Sequence, residues 1–296
     1  MSANVFRAVF VSLFISGAFL LSAQELVLTD DFQSNENGWY ESANVNIRNG
    51  IYEFTNNERA EYTWMKDTLK DGSLEADTAW LGDEESRGYG LVFRLVDAKN
   101  FYFFWLTGEG TYTVGKVIDD RAFLIKGWTF SEVIRKRGEN HLRVEFCGPL
   151  MNIFINEEKV SVLKDETFSQ GGYGFYTHGG VHVGYDNVKV VSESPFELHM
   201  PSNGSMDRFR DMTGKTFILT LTGNRDGEIW GTDIYTDDSN IATAAVHAEA
   251  LDAGERGTVL ITMLPGQESY SGSERNGVVS QDFESWHGSY RVERKK

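Results

Sequence analysis

From Leu26 to Val191 the chain alternates short apolar runs, rich in aromatic and β-branched residues, with breaks of Gly, Asn and Asp. SLEADTAWL, YGLVFRLV, NFYFFWL, TYTVGKVI, NHLRVEFC, LMNIFIN, GGYGFYT and VGYDNVKVV have strand length and a two-residue period. Asp97 to Lys99, Gly108 to Gly110, Gly148-Pro149 and Asn156 to Glu158 supply turn chemistry between neighbouring runs. Consecutive antiparallel hairpins in an all-β sandwich are therefore expected. The run Asn100 to Leu106 is apolar on both faces, with Phe101, Phe103 and Trp105 on one and Tyr102, Phe104 and Leu106 on the other. One face must be core, and the second is either covered or open to a ligand.

The texture changes after Val191. Residues 192–213 carry Pro195, Pro201 and Asn203-Gly204-Ser205 with few periodic apolar positions, and read as a linker. From Gly214 onward, KTFILTLTG, TVLITML and the segment Gly277 to Ser280 read as strands around a single helix. Ser239 is the expected N-cap, Asp237 and Asp238 suit the positive helix end, and Gly254 is the expected stop. Ile241, Ala244, Ala245, Ala248 and Leu251 share one helical stripe for packing. The fold class is thus mainly β: an N-terminal jelly-roll β-sandwich over 24–191, a linker over 192–213, and a C-terminal α+β domain with one central helix over 214–296.

Two family resemblances attach to these halves. GEIWGTDIYTDDSNIATAAVHAEAL followed by YSGSERNGVVSQDFESWHGSY resembles the LCCL domain, an extracellular binding module. Tyr235, Ser239, Ala244, Ala245 and His247, then Tyr270, Ser273, Asn276, Gly277 and Ser280, match its motif positions. The family usually has a cysteine where Ala242 stands and a glycine where Glu249 stands, so disulfide bracing is absent here. The first half is similar to concanavalin-like jelly rolls of the laminin-G and glycoside-hydrolase-16-like type, through DDFQSNENGWY, GYGLVFRLVDAKNFYFFWL, NHLRVEF, MNIFINEEKV and YDNVKVV.

Residues 1–23 hold Arg7, the apolar run Ala8 to Leu21 and Ser22-Ala23, the pattern of a cleaved secretory signal, too short for a membrane span. A secreted or periplasmic product starting at Gln24 is expected, with no later transmembrane span. The whole chain has 28 basic and 44 acidic residues, a formal charge of -16. Removing the leader takes away Arg7 and no acid, leaving 27 basic and 44 acidic residues, or -17. That charge repels phosphate backbones, so nucleic acid is not a partner. Cys147 is the lone cysteine and reads as a small buried hydrophobe; neither an intrachain disulfide nor a thiolate cluster is open to it.

Two candidate chemistries remain. Glu75 and Asp77 share a strand face, but the third position of the glycoside-hydrolase-16 pattern is Ala79, and Glu84 and Glu85 lie in a loop. Retaining glycosidases need a carboxylate pair flanking the bond, so a hydrolase is the alternative reading. The preferred reading is non-catalytic binding of carbohydrate or another envelope or matrix polymer; a structural adhesion role is a third. Leu91, Phe93 and Leu95 are expected to face inward, which leaves Arg94, Tyr102, Phe104 and Tyr112 with Glu75 and Asp77 as a ligand patch. No cofactor is required, although calcium could occupy loops at Asp30-Asp31 or Asp186-Asn187. His178, His182 and His287 lack the spacing for zinc, and His247 is expected to fasten the helix to a loop.

Overall fold

The computed structural model describes residues 25–295 apart from 56, 57, 84, 85 and 202, so the expected leader and the Glu84-Glu85 pair lie outside the described residues. The first half consists of fourteen strands. In chain order these are β1 (Glu25–Asp30), β2 (Val45–Arg48), β3 (Ile51–Phe54), β4 (Glu61–Leu69), β5 (Gly72–Trp80), β6 (Tyr89–Asp97) and β7 (Asn100–Leu106). They continue as β8 (Thr111–Ile118), β9 (Arg121–Phe130), β10 (Glu139–Cys147), β11 (Leu150–Ile155), β12 (Glu158–Lys164), β13 (Gly171–Thr177) and β14 (Val183–Ser192). One sheet runs β12-β11-β10-β5-β14-β3-β2 with β1 also on β14; the other runs β4-β13-β6-β7-β8-β9.

The inward faces of these two sheets share one core. Phe175 of the smaller sheet stacks on Tyr185 of the larger at 4.2 Å, and Phe93 on Phe146 at 5.6 Å. Burying faces of this size in aromatics is the main driving force for the sandwich. Which face of β7 enters the core follows from register: Phe93 pairs with Tyr102 and Leu91 with Phe104. Tyr102, Phe104 and Leu106 are therefore core residues along with Leu91 and Phe93. The ladder then slips between Phe93 and Asp97, where Arg94 takes a φ of 46°. This bulge turns Leu95 to the outer face, against the inward position expected of it, and sends Arg94 inward over the Phe146 ring at 5.0 Å.

The second half is a five-stranded sheet, β15 (Phe196–Leu198), β16 (Thr216–Thr222), β18 (Arg256–Pro265), β21 (Gly288–Arg294) and β17 (Tyr235–Thr236), in that spatial order. A small hairpin, β19 (Glu274–Arg275) and β20 (Val278–Val279), lies beside the single α-helix of the described residues, α1 (Ile241–His247). The stretch expected to be a linker supplies β15, which pairs in parallel with β16, and buries Phe196, Leu198, Met206 and Phe209 in the second core.

The helix differs from expectation at both ends. Its N-cap is Asn240, whose Oδ1 accepts from the Thr243 amide at 2.9 Å; the Ser239 hydroxyl instead accepts from the Trp230 amide at 3.0 Å. The chain leaves the helix at Glu249, exposed and held at a φ of 61°, well before Gly254. A left-handed residue with a β-carbon is strained, whereas glycine adopts that conformation at no steric cost. Glu249→Gly should therefore stabilise the second half by roughly 0.5–1 kcal/mol, net of the extra freedom glycine gains when unfolded, raising the midpoint of a thermal or urea melt.

The two halves meet at a buried ionic joint. Asp71, in the β4–β5 turn, accepts from Arg94 Nη2 at 3.2 Å and from the Gly148 amide at 2.6 Å. Lys215, just before β16, reaches Asp71 at 2.5 Å and Glu193 at 3.2 Å. Cys147 sits beside this joint and packs into the second core, with its thiol pushed up to about 12 by burial and by the Asp71 carboxylate.

Candidate binding surfaces

The structure separates the residues expected to form one ligand patch. Arg94, Tyr102, Phe104 and Tyr112 lie inside the sandwich, none more than 2% exposed, whereas Glu75 and Asp77 are on the outer face of the larger sheet. Arg94 donates to the carbonyls of Lys70 and Phe168 as well as to Asp71, so its donors are spent on holding loops. Burial lowers its pKa and Asp71 opposes that shift. The Tyr102 hydroxyl donates to Asp165 at 2.6 Å, and Lys116 reaches the other oxygen of the same carboxylate at 2.6 Å. Burial would raise the Asp165 pKa, but the hydrogen bonds from Lys116, Thr167 and Tyr102 outweigh it and hold it at about 2. Tyr112 donates to the Val160 carbonyl at 2.9 Å. These four side chains brace the fold and cannot meet a ligand at the surface.

Glu75 and Asp77 belong to a cross-strand network. Register places Arg143 and Lys189 on either side of Glu75, and His141 and Asp186 on either side of Asp77. Lys189 reaches Glu75 at 3.2 Å, His141 Nδ1 lies 2.8 Å from Asp77, and Asn187 donates to Asp77 at 2.9 Å. Glu75 borders a hollow of about 560 Å³ and Asp77 one of about 350 Å³, but both carboxylates face cations or donors already in place. The loops expected to seat calcium are used similarly. Asp30 accepts from the Phe32 amide, Asn37 and Trp39 Nε1, each at 2.8 Å. Burial and the neighbouring carboxylates of Asp77, Asp31 and Asp30 raise the pKa of Asp186. No group of three or more His, Cys, Asp or Glu side chains arranged so that it could hold a metal ion occurs among the described residues.

The outer face of the smaller sheet carries a different array. Phe101, Phe103 and Trp105 form a second apolar cluster with Val92 and Leu95, and Trp64 and Tyr176 pack against it. The rings are in register: Phe103 and Trp105 stack at 3.7 Å, Trp105 and Tyr176 at 4.5 Å, Tyr62 and Trp64 at 5.3 Å. His178 closes the row edge-on to Trp105 at 4.7 Å. At the β4 edge the half-buried Trp64 walls a groove of about 700 Å³ with Lys66, Thr68, Asp97, Thr167, Ser169 and Gln170, floored by Gly171 and Gly172. A methyl group at Gly172 would lie 2.4 Å from the Met65 carbonyl oxygen and 3.5 Å from the Trp64 ring, so a bare floor is required there.

Tyr62 and Trp64 were legible as outward residues, because EYTWMK alternates and buries Thr63 between them. The expectation passed over this strand for β7, whose aromatic content is higher but mostly enclosed.

The LCCL-type motif residues form one hydrogen-bonded assembly. Tyr235 Oη lies 2.8 Å from His247 Nδ1, and His247 Nε2 is 3.2 Å from both the carbonyl and the hydroxyl oxygen of Ser273. The Ser273 amide donates to Ser280 Oγ at 2.9 Å, Asn276 donates to the Val246 carbonyl at 3.0 Å, and Tyr270 Oη accepts from the Gln267 amide at 3.1 Å. Burial lowers the His247 pKa against the Ser273 contact, which keeps the ring neutral. Both ring nitrogens have partners, so this histidine fastens α1 to the β19 loop.

Comparison with known proteins bears on the second half above all. Residues 201–290 match the LCCL domain family. Vitrin of Homo sapiens is 38% identical over 115 residues, covering 38% of this chain and 17% of that protein. Cochlin of Homo sapiens is 35% identical over 68 residues, covering 23% and 12%. Limulus clotting factor C of Carcinoscorpius rotundicauda is 27% identical over 170 residues, covering 50% and 16%. The chain thus spans less than a fifth of these relatives. Among solved structures, a carbohydrate binding module, CBM66 from Bacillus subtilis, superposes with a TM-score of 0.44 at 18% identity over 58% of this chain and 98% of its own. It is over residues 201–290, which contain the whole motif from Tyr235 to Ser280, that the chain matches the LCCL domain.

Proposed function

We propose that the protein is an exported, non-catalytic binding protein that recognises carbohydrate on an envelope or matrix polymer through the β4 edge of its sandwich. The observation that carries this reading is the Tyr62–Trp64 pair, two half-buried rings stacked at 5.3 Å beside a groove with polar walls and a glycine floor. Aromatic planes give a sugar ring an apolar face to rest on, while a few hydroxyls and amides set its orientation. The leader-like first 23 residues support export, and the LCCL match over 201–290 supports a second recognition unit on the same chain. Two weak sites engaging one surface bind far more tightly than either alone.

The test is affinity electrophoresis of the purified protein through gels containing xylan, β-glucan, polygalacturonate or a sulfated galactan. Trp64→Ala should weaken retention by about tenfold, as removal of a central aromatic anchor does, without lowering the thermal midpoint by more than a few degrees. Equal migration of wild type and variant in every gel would remove the groove from the reading.

A further inference from the structure

The groove beside Trp64 sets a lysine next to an aromatic ring in a chain that is otherwise strongly acidic. Several of its other lysines are held in ion pairs: Lys99 with Asp120, Lys116 with Asp165, Lys159 with Glu197, Lys189 with Glu75 and Lys215 with Asp71. Two charged groups line the groove, Lys66 and Asp97. Asp97 is occupied: its Oδ1 accepts from the Lys99 amide at 2.7 Å, and both oxygens accept from Asn100 at 3.0 and 3.1 Å. Lys66 is exposed on the Trp64 side of β4 and lines the hollows on both sides of that ring. Glu61, which borders the second hollow, lies at the alternate strand position, one residue before Tyr62. Asp67 follows Lys66 at the alternate position and interacts with Tyr173, whose ring is in the sandwich core.

From this we infer that the groove selects anionic sugars, with the pyranose ring on Trp64 and a carboxylate or sulfate substituent on the Lys66 ammonium. This rests on the carbohydrate-binding reading above and names the class of sugar. A primary ammonium is a compact charge on a flexible stem and pairs with either anion, so the chemistry shared by polyuronates and sulfated glycans is what is specified. The protein's overall charge works against any polyanion, and does so at a range set by the ionic strength. A preference for acidic polymers must then come from a local cation.

Retention is measured on polygalacturonate, a sulfated galactan, xylan and β-glucan at low and moderate salt, for wild type, Lys66→Gln, Lys66→Glu and the control Lys164→Gln. Lys164 is a solvated residue on β12, paired with Glu166. The expected result is stronger retention on an acidic polymer than on both neutral ones, an advantage that shrinks with salt. Lys66→Gln should reduce the acidic-to-neutral ratio by about threefold to fivefold, the scale of one exposed ion pair, and Lys66→Glu by more. Lys164→Gln should leave the ratio unchanged. Loss on the polyuronate alone assigns the carboxylate, and loss on the galactan alone assigns the sulfate. Neutral polymers bound as well as acidic ones, or a ratio untouched by both Lys66 variants, overturns the inference and leaves carbohydrate binding standing. No retention on any polymer removes both.

Discussion

Asp71→Ala should cost about 3–5 kcal/mol of stability, the scale observed when one member of a buried ion pair is deleted. The Asp71 side chain is 2% exposed and Arg94 is 1% exposed, so the substitution strands a guanidinium and an ammonium without their shared carboxylate. The Gly148 amide loses its acceptor as well. For a chain of this size that corresponds to a fall of about 5–9 °C in thermal midpoint. Because Lys215 belongs to the second half and Arg94 to the first, the melt should also lose cooperativity, with the halves separating into distinct calorimetric transitions. Arg94→Met in the same background should recover part of the loss, since it removes the charge left unpaired. A melt of Asp71→Ala superimposable on wild type would show that the joint contributes nothing.

Asp237→Ala should produce the second largest effect, confined to the LCCL-like half. The Asp237 side chain is fully buried and accepts from Arg210 Nε at 2.5 Å, Arg210 Nη2 at 2.8 Å and Trp286 Nε1 at 2.8 Å. Removing it leaves the indole N–H and a bidentate arginine without partners, at a cost of about 2–4 kcal/mol. Burial works to raise the Asp237 pKa, but the Arg210 and Trp286 hydrogen bonds outweigh it and hold it below the ordinary carboxylate value. A carboxyl depressed in the folded state contributes stability at neutral pH, and that contribution is lost as pH falls through its folded value. Wild type should therefore lose stability on acidification below about pH 4, and its advantage over Asp237→Ala should narrow there. Urea melts of the isolated difference at neutral and acid pH would check this; a constant gap would show that the carboxylate charge is not what holds Arg210.

Much of the architecture could be read from periodicity, because a half-buried strand must alternate and most strands here do. The mainly β fold with one helix follows from that pattern and from a single stretch of helical spacing. Orientation was harder. In β7 both faces are apolar, so composition cannot say which is core, and Tyr102 and Phe104 were expected on the wrong one. Arg94 was misjudged for a related reason: a bulge shifts the alternation by one residue, and nothing in YGLVFRLVD marks it. At the helix start Ser239 and Asn240 are adjacent and both are good caps; tertiary demand for the Ser239 hydroxyl at Trp230 decides between them. The Tyr62–Trp64 pair was legible in the alternation of β4, but a strand with two outward aromatics draws less attention than one with five aromatics in a row.

The solitary thiol of Cys147 has a consequence for how this protein meets thiol reagents. Enclosed where the sandwich meets its neighbour and held protonated well above neutral pH, it is withheld from mixed-disulfide exchange with other thiols. Its reactivity toward an alkylating reagent would be governed by how often the two halves part, so a single native atom serves as a kinetic clock for that motion.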